Sequence, residues 1–253
     1  MDSLSDQNPL LKQIRRAVSR GTLTEDGYAV AEGLHLLEEA RAAGREIGAI
    51  LVAESAASRY PEARVISDKA FREIASTETP QGVVALVRPL EWSLQDMLAV
   101  DHSGKDALLV VVDGIQDPGN AGAVLRAAEA FGASGVVFLK GTVNPYNPKC
   151  LRGSAGSAFR VPLVAGLDAR EFLERVSLPL YAAMPRAKRL ANEADLKAPC
   201  ALVIGSEGRG VSPEIQARAE GVRIPTSGVE SLNAAVAAGI LLYEARRQRG
   251  GPA

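Results

Sequence analysis

Five polar residues, Asn120, Arg126, Glu207, Ser231 and Asn233, sit in or beside three turn-forming stretches, 113–120, 205–210 and 225–231. Each stretch follows a segment suited to a strand, the apolar runs 107–112 and 201–204 and the short Val222-Arg223-Ile224. In a parallel sheet the loops that leave the strands gather at one edge, so these side chains can share one pocket. Such an edge is where open α/β sheets bind small molecules. Gly205, Gly208 and Gly210 let backbone come close to a ligand. Their order is G-x-x-G-x-G, not the G-x-G-x-x-G of dinucleotide sites, and no helix begins directly at the loop to receive a pyrophosphate. The two histidines, His35 and His102, fall outside the three loops, and no G-x-S-x-G elbow is present, which argues against a Ser–His–Asp hydrolase. Cys150 and Cys200 have no metal-like spacing. Simpler accounts stand beside the pocket for single residues. Asn233 can serve an N-terminal cap network alone, and Arg126 can be an exposed arginine paired with Glu129 at i+3.

The elements that must position these residues follow from the pattern. Val222 to Ile224 reads as a strand that Pro225 ends, and Thr226-Ser227-Gly228 as a turn. Ser231 is the expected N-cap of the last helix. From Leu232 to Tyr243 only Asn233 and the Tyr243 hydroxyl are polar, so this helix is expected to be buried on every side. Its Ala234, Ala235, Ala237, Ala238 and Gly239 allow another helix to approach closely. Arg246, Arg247 and Arg249 suit the negative end of the helix dipole, and Gly250-Gly251-Pro252 stops it. Asn120 is the expected cap of a helix running to Phe131, with Val124, Leu125, Ala128 and Phe131 facing inward. Strands at 136–139, 161–164 and 179–183 and helices at 149–154, 168–176 and 212–219 complete the alternation. The fold class is therefore α/β with a mostly parallel sheet covered on both faces.

The first part of the chain reads as a smaller α/β unit. A helix over 8–20 starts at Asn8 and Pro9, with Leu11, Ile14 and Val18 inward. Its Lys12, Arg15, Arg16 and Arg20 share one face, which is either a solvated surface or a ridge that contacts phosphates. Strands at 28–31, 47–53 and 83–88 and helices at 34–43 and 68–75 follow. The expected domains are 1–90 and 107–253, joined by a linker at 91–106 with a helical turn near Leu94.

The chain has 253 residues, 47% of them hydrophobic and 23% charged, as in an ordinary globular protein. Its net charge of -1 means that any nucleic-acid contact must come from local patches. The cysteine usage, the N-terminal sequence without a signal-peptide pattern and the absence of an uninterrupted membrane-length apolar run lead us to expect a cytoplasmic protein with no membrane partner.

Three blocks then stand in order: D-G-I-Q-D-P-G-N-A-G-A-V-L-R-A-A-E-A-F-G, I-G-S-E-G-R-G-V and R-I-P-T-S-G-V-E-S-L-N-A-A-V-A-A-G-I-L-L-Y-E. Together they resemble the SpoU (TrmH-like) RNA 2′-O-ribose methyltransferases of the SPOUT superfamily. The first part, in N-P-L-L-K-Q-I-R-R, A-V-A-E-G-L-H-L-L-E-E-A and T-P-Q-G-V-V-A-L-V, resembles that family's substrate-binding domain, so the resemblance spans nearly the whole chain.

The resemblance implies S-adenosylmethionine bound in a deep C-terminal trefoil knot, an RNA substrate, with ribosomal RNA favoured and transfer RNA the alternative, and a homodimer through the C-terminal domain. It implies a cofactor site at Ile204, Gly205, Gly210, Ile224, Leu232 and Asn233, and polar active-site positions at Asn120, Arg126, Glu207, Ser231 and Asn233. The stretch 149–157, with Arg152, matches a family segment near the RNA entrance. The implied reaction asks the protein to place a ribose hydroxyl in line with an activated methyl and to accept its proton. An arginine is ordinarily fully protonated, so Arg126 is assigned substrate positioning, with base action left open. Thr226 stands where the family usually has methionine, and the loop from Pro225 to Ser231 is one residue shorter than the common form. A non-catalytic RNA-binding factor on the same fold is the alternative reading, and that loop is its only support.

Overall fold

The computed structural model describes residues 4–99 and 107–250. The chain divides into two compact units, Met1–Leu90 with Asn144–Arg160, and Glu91–Val143 with Val161–Ala253. In the first, α1 (Pro9–Arg20), β1 (Ala29–Glu32), α2 (Leu34–Ala42), β2 (Ile47–Ala53), β3 (Arg64–Ile66), α3 (Asp68–Ile74) and β4 (Val83–Val87) follow in order. The sheet order is β1-β4-β2-β3. It is mixed: β4 runs antiparallel to β1 and β2, whereas β3 is parallel to β2. Asn8 caps α1 by accepting from the Leu10 amide at 3.0 Å, and Pro9 takes the first helical position, where a missing N–H costs nothing. Leu11 and Ile14 then pack with Phe71, Leu51 and Val30 in one core. The three-residue strand β3 was not expected, since so short a run carries no readable period.

The second unit begins with α4 (Leu94–Ala99), inside the interval read as a linker. Its Leu94 and Met97 are buried among Leu109, Val137 and Phe172. Gly135 is required there, because a Cβ on it would lie 2.8 Å from the Met97 sulfur. Positions 100–106, with His102 and the end of the linker, lie outside the described residues, as do Gly251 and Pro252 of the expected helix stop.

From β5 (Leu108–Asp113) the chain runs through α5 (Pro118–Ala130) and β6 (Gly135–Leu139) to α6 (Pro148–Ser154), which belongs to the first unit. It returns through β7 (Leu163–Leu167), α7 (Ala169–Arg175), β8 (Leu180–Ala183), β9 (Arg189–Leu190), β10 (Cys200–Gly205), α8 (Pro213–Arg218), β11 (Glu220–Arg223) and α9 (Ala234–Gln248). The seven-stranded order is β7-β6-β5-β10-β8-β11-β9, with every pairing parallel. The chain winds outward from β5 through β6 and β7, then crosses to fill the other side. The reversal point of the winding therefore falls between β5 and β10, where doubly wound sheets open a crevice at their carboxyl edge.

Four local expectations are corrected. Asp117, not Asn120, caps α5: its carboxylate accepts from the Asn120 amide at 2.8 Å, and Pro118 opens the helix. Asn233, not Ser231, caps α9, accepting from the Ala235 and Val236 amides. A side chain two residues further from the helix cannot reach its first free donors as well as one at the boundary. Helix α9 is not buried on every side. Ala234, Ala238, Leu241 and Leu242 face inward, while Val236 and Tyr243 are 50% and 57% exposed. Phe131, expected inside, is half-buried and meets the Tyr243 ring edge-on at 6.0 Å.

Candidate active site

The site is assembled from the ends of β5, β10, β8 and β11. At β10 the chain turns back in a tight hairpin, with Ser206 N–H donating to the Gly210 carbonyl at 3.0 Å and Gly210 N–H to that of Ser206 at 2.8 Å. Gly205 is demanded by this hairpin itself: a Cβ there would sit 2.2 Å from the Gly210 carbonyl carbon. Gly210 has φ +69, a left-handed conformation that glycine adopts without penalty. The turn presents Glu207 at its tip, and the Asp113 carboxylate ties the following segment to β5 by accepting from Ser212 N–H at 2.6 Å.

Glu207 Oε1 accepts from Asn120 Nδ2 at 2.6 Å, and Asn120 Oδ1 accepts from Asn233 Nδ2 at 3.0 Å. The direction of this relay is set by backbone. The Asn233 Oδ1 must receive the Ala235 and Val236 amides, at 2.9 and 3.3 Å, so its Nδ2 has to point at Asn120. Asn120 then turns its oxygen to Asn233 and its amide hydrogens to Glu207. A helix cap thus orients a carboxylate in a loop far away in sequence.

Beside the relay lies a cavity of about 200 Å³. Its walls are largely apolar, from Met184, Ile204, Val222, Ile224, Leu232 and Ala237, and its polar rim carries Ser206, Glu207, Thr226, Glu230 and Ser231. Glu230 pairs with Arg186 at 2.6 Å, and that guanidinium holds its carboxyl below the usual range. Ile204, Gly205, Gly210, Ile224, Leu232, Glu207 and Ser231 therefore come together at one cavity, with Asn120 and Asn233 attached through Glu207. Arg126 is exposed on α5, about 9 Å along the axis from Asn120. It makes no ion pair among the described residues, so the pairing with Glu129 is not formed. Sequence reasoning missed Met184 and Pro185, which close the cavity from the end of β8. The signal was available, since a short apolar strand ended by proline is the same signature that marked β11.

The basic residues of the first unit are placed differently. On α1, Arg15 pairs with Glu73 at 2.9 Å and Arg16 with Glu25 at 2.7 Å, while Lys12 and Arg20 share the helix surface. Arg152 on α6 stands 3.8 Å from Glu32, a carboxylate only 5% exposed that also accepts from the Ser76 amide and the Ser76 and Thr77 hydroxyls. Arg152 thus neutralises a buried charge. Among the described residues no cluster of His, Cys, Asp or Glu could hold a metal, and no helix is long and apolar enough to cross a membrane.

The sequence matches the SpoU rRNA Methylase family over residues 107–243 and the MRM3-like substrate binding domain over residues 8–85. The chain is 35% identical to an uncharacterized tRNA/rRNA methyltransferase of Synechocystis sp., covering 97% of this chain and 93% of that protein. It is 30% identical to the 23S rRNA (guanosine(2553)-2′-O)-methyltransferase RlmP of Bacillus subtilis, covering 96% and 98%. Among solved structures, the SpoU methyltransferase AviRb from Streptomyces viridochromogenes in complex with the cofactor AdoMet superposes with a TM-score of 0.84 at 28% identity, covering 97% of this chain and 100% of that one. With the relay and its cavity at the carboxyl edge of an all-parallel sheet, the chain belongs to the SpoU family of RNA 2′-O-ribose methyltransferases.

Proposed function

We propose that the protein transfers the methyl group of S-adenosylmethionine to a ribose 2′-hydroxyl of ribosomal RNA in the cytoplasm, working as a homodimer. The observation that carries this is the Asn233–Asn120–Glu207 relay at the rim of an apolar cavity. The lining fits the cofactor: aliphatic side chains and strand-end backbone suit an adenine and a methylene chain, and Ser231, Thr226 and Glu230 offer partners for an amino-acid end. The cavity is smaller than the roughly 300 Å³ at which ligand pockets usually begin, so the exposed loop 226–231 must yield as the molecule enters. When bound, S-adenosylmethionine supplies a methyl already activated on a sulfonium.

The protein's task is then orientation and proton acceptance. Glu207, held by Asn120, is the carboxylate placed to accept a hydrogen bond from the attacking hydroxyl. An alcohol oxygen that gains a methyl becomes strongly acidic, so a weak base suffices. Arg126, exposed about one and two-thirds turns on, holds a phosphate or ribose oxygen of the substrate with its planar fork. The first unit supplies RNA affinity, through Lys12 and Arg20 and through Arg15, Arg16 and Arg152 where RNA phosphates compete with their carboxylate partners. The second unit is the catalytic domain, and the trefoil knot of this reading would lie where the chain passes from β11 to α9, which packs on α5 and β10. Val236, Ile240 and Tyr243 form an exposed apolar stripe on α9 at i, i+4 and i+7, suited to a second copy.

The test is transfer of labelled methyl from S-adenosylmethionine to in vitro transcribed, unmodified large-subunit ribosomal RNA, followed by mapping of 2′-O-methyl groups. Arg126→Ala is expected to retain cofactor affinity by calorimetry and to fall below about a tenth of the wild-type rate, a barrier increase above roughly 1.4 kcal/mol. Label on bases rather than riboses, or cofactor binding without transfer to any RNA, refutes the proposal.

A further inference from the structure

A second, larger cavity of about 930 Å³ lies on the other side of the 205–210 hairpin. It sits over the carboxyl ends of β6, β5 and β10, which includes the reversal point of the sheet. It shares Ser206, Glu207 and Gly210 with the apolar cavity, but its lining is more polar and carries charged side chains beside Val211 and Pro213. The floor is backbone and polar: Gly114, Gly141 and Gly208 bring main chain to the surface, and Gln116 stitches two strand-end loops together by donating to the Gly114 carbonyl at 3.1 Å and to that of Gly141. Two exposed cations, Lys140 and Arg209, stand in the lining, and neither makes an ion pair among the described residues. Its two carboxylates are already engaged, Asp113 with the Ser212 amide and Glu207 with Asn120. What this groove offers an incoming ligand is therefore two cations, Lys140 and Arg209, with no carboxylate partner among the described residues, beside two carboxylates held by neutral donors, at a volume that takes a nucleotide or two.

We infer that this groove holds the RNA strand next to the nucleotide being methylated, with Lys140 and Arg209 binding its backbone phosphates. The inference deepens the methyl-transfer reading and rests on it. The hairpin separates cofactor from strand, and Glu207 at its tip lines both cavities, so a strand in the groove brings the adjacent ribose to Glu207. Gln116 links the β5 and β6 loops that line the groove, through the Gly114 and Gly141 carbonyls. Backbone phosphate contacts give position but not sequence, so Lys140 and Arg209 set affinity and register, while the choice of nucleotide lies elsewhere.

The experiment compares wild type, the double variant Lys140→Ala with Arg209→Ala, and a control of equal charge loss, Arg170→Ala with Arg175→Ala on α7. Unmodified large-subunit ribosomal RNA transcript is the probe. Filter binding is measured over a salt series, alongside KM and kcat for transfer and calorimetry with S-adenosylmethionine. The groove variant is expected to raise Kd and KM for RNA roughly tenfold and to reduce the salt slope by about 1.4, two single-strand phosphate contacts' worth. Cofactor affinity and kcat should stay near wild type, and the control should change the slope by less than half as much. Unchanged RNA affinity and slope, or a fall in kcat without a rise in KM, overturns the groove. If wild type binds RNA but transfers no methyl, the enzymatic reading fails, and the filter-binding arm still decides whether the groove takes RNA. A Lys140→Arg variant that keeps wild-type affinity shows that charge, not the particular side chain, is what the groove uses.

Discussion

Helices α5 and α9 both begin at the active edge, and they divide cap and function differently. At α5 the two jobs fall to separate residues. Asp117 receives the Asn120 amide and holds the helix start, so the Asn120 side chain is free to bridge Glu207 and Asn233. At α9 one residue does both: Asn233 closes the helix with its oxygen and drives the relay with its nitrogen. The lesson is that an asparagine at a helix start has two separable ends, one for the fold and one for the chemistry. Substitutions that address one end at a time can tell them apart.

The largest effect is expected from Asn233→Asp. Aspartate caps a helix as well as asparagine does, so stability should stay within about 0.5 kcal/mol. The donor end is lost, and a carboxylate oxygen now faces the Asn120 oxygen. Asn120 must turn or withdraw, and Glu207 loses its partner. Turnover should fall roughly a hundredfold, as when one oriented hydrogen-bond donor is removed from an active site. Denaturation and single-turnover rates measured together decide this. A variant that keeps its rate would reduce the relay to a cap network.

Asn120→Ala comes next. Because Asp117 keeps α5 capped, the melting temperature should change little, while the rate falls about tenfold, since both relay bonds are lost but no carboxylate is set against the site. Asp117→Ala is its mirror image, costing about 1 kcal/mol of stability with a much smaller loss of rate. If the two variants lose stability equally, cap and function are not divided at α5 as the geometry implies.

How much of this was legible in the sequence depends on whether a feature is local. The strands with continuous apolar runs, 108–113 and 200–205, were readable because burial on both faces leaves no alternation to misjudge. The gathering of Asn120, Glu207 and Asn233 followed from parallel-sheet geometry alone. The caps were harder: Asp117 and Asn120 are both good cap residues, and Pro118 between them, at the first helical position, was the clue that Asp117 takes the role. The exposure of Val236 and Tyr243 could not be read at all, because an apolar face looks the same whether its own chain or another covers it. The second cavity was also invisible, since Lys140 and Gln116 acquire meaning only when β5, β6 and β10 are neighbours.

The smallest expected effect is at Ser231, and it sharpens the contrast with Asn233 from the other side. Ser231 looks like a cap in sequence, standing before an apolar helix, but it is exposed on the rim of the apolar cavity, and the amides it was expected to serve belong to Asn233. Ser231→Ala should therefore leave the helix intact, with a melting temperature shift under about 2 °C, less than a lost cap of about 1 kcal/mol produces in a chain of this size. Its only cost should be one neutral hydrogen bond to the cofactor, a few-fold in Kd for S-adenosylmethionine by calorimetry, given about 0.5–1 kcal/mol per such bond. Asn233→Ala, by comparison, should lose both the cap and the relay. A Ser231→Ala protein that melts as early as Asn233→Ala would return the helix start to Ser231 and leave Asn233 with chemistry alone.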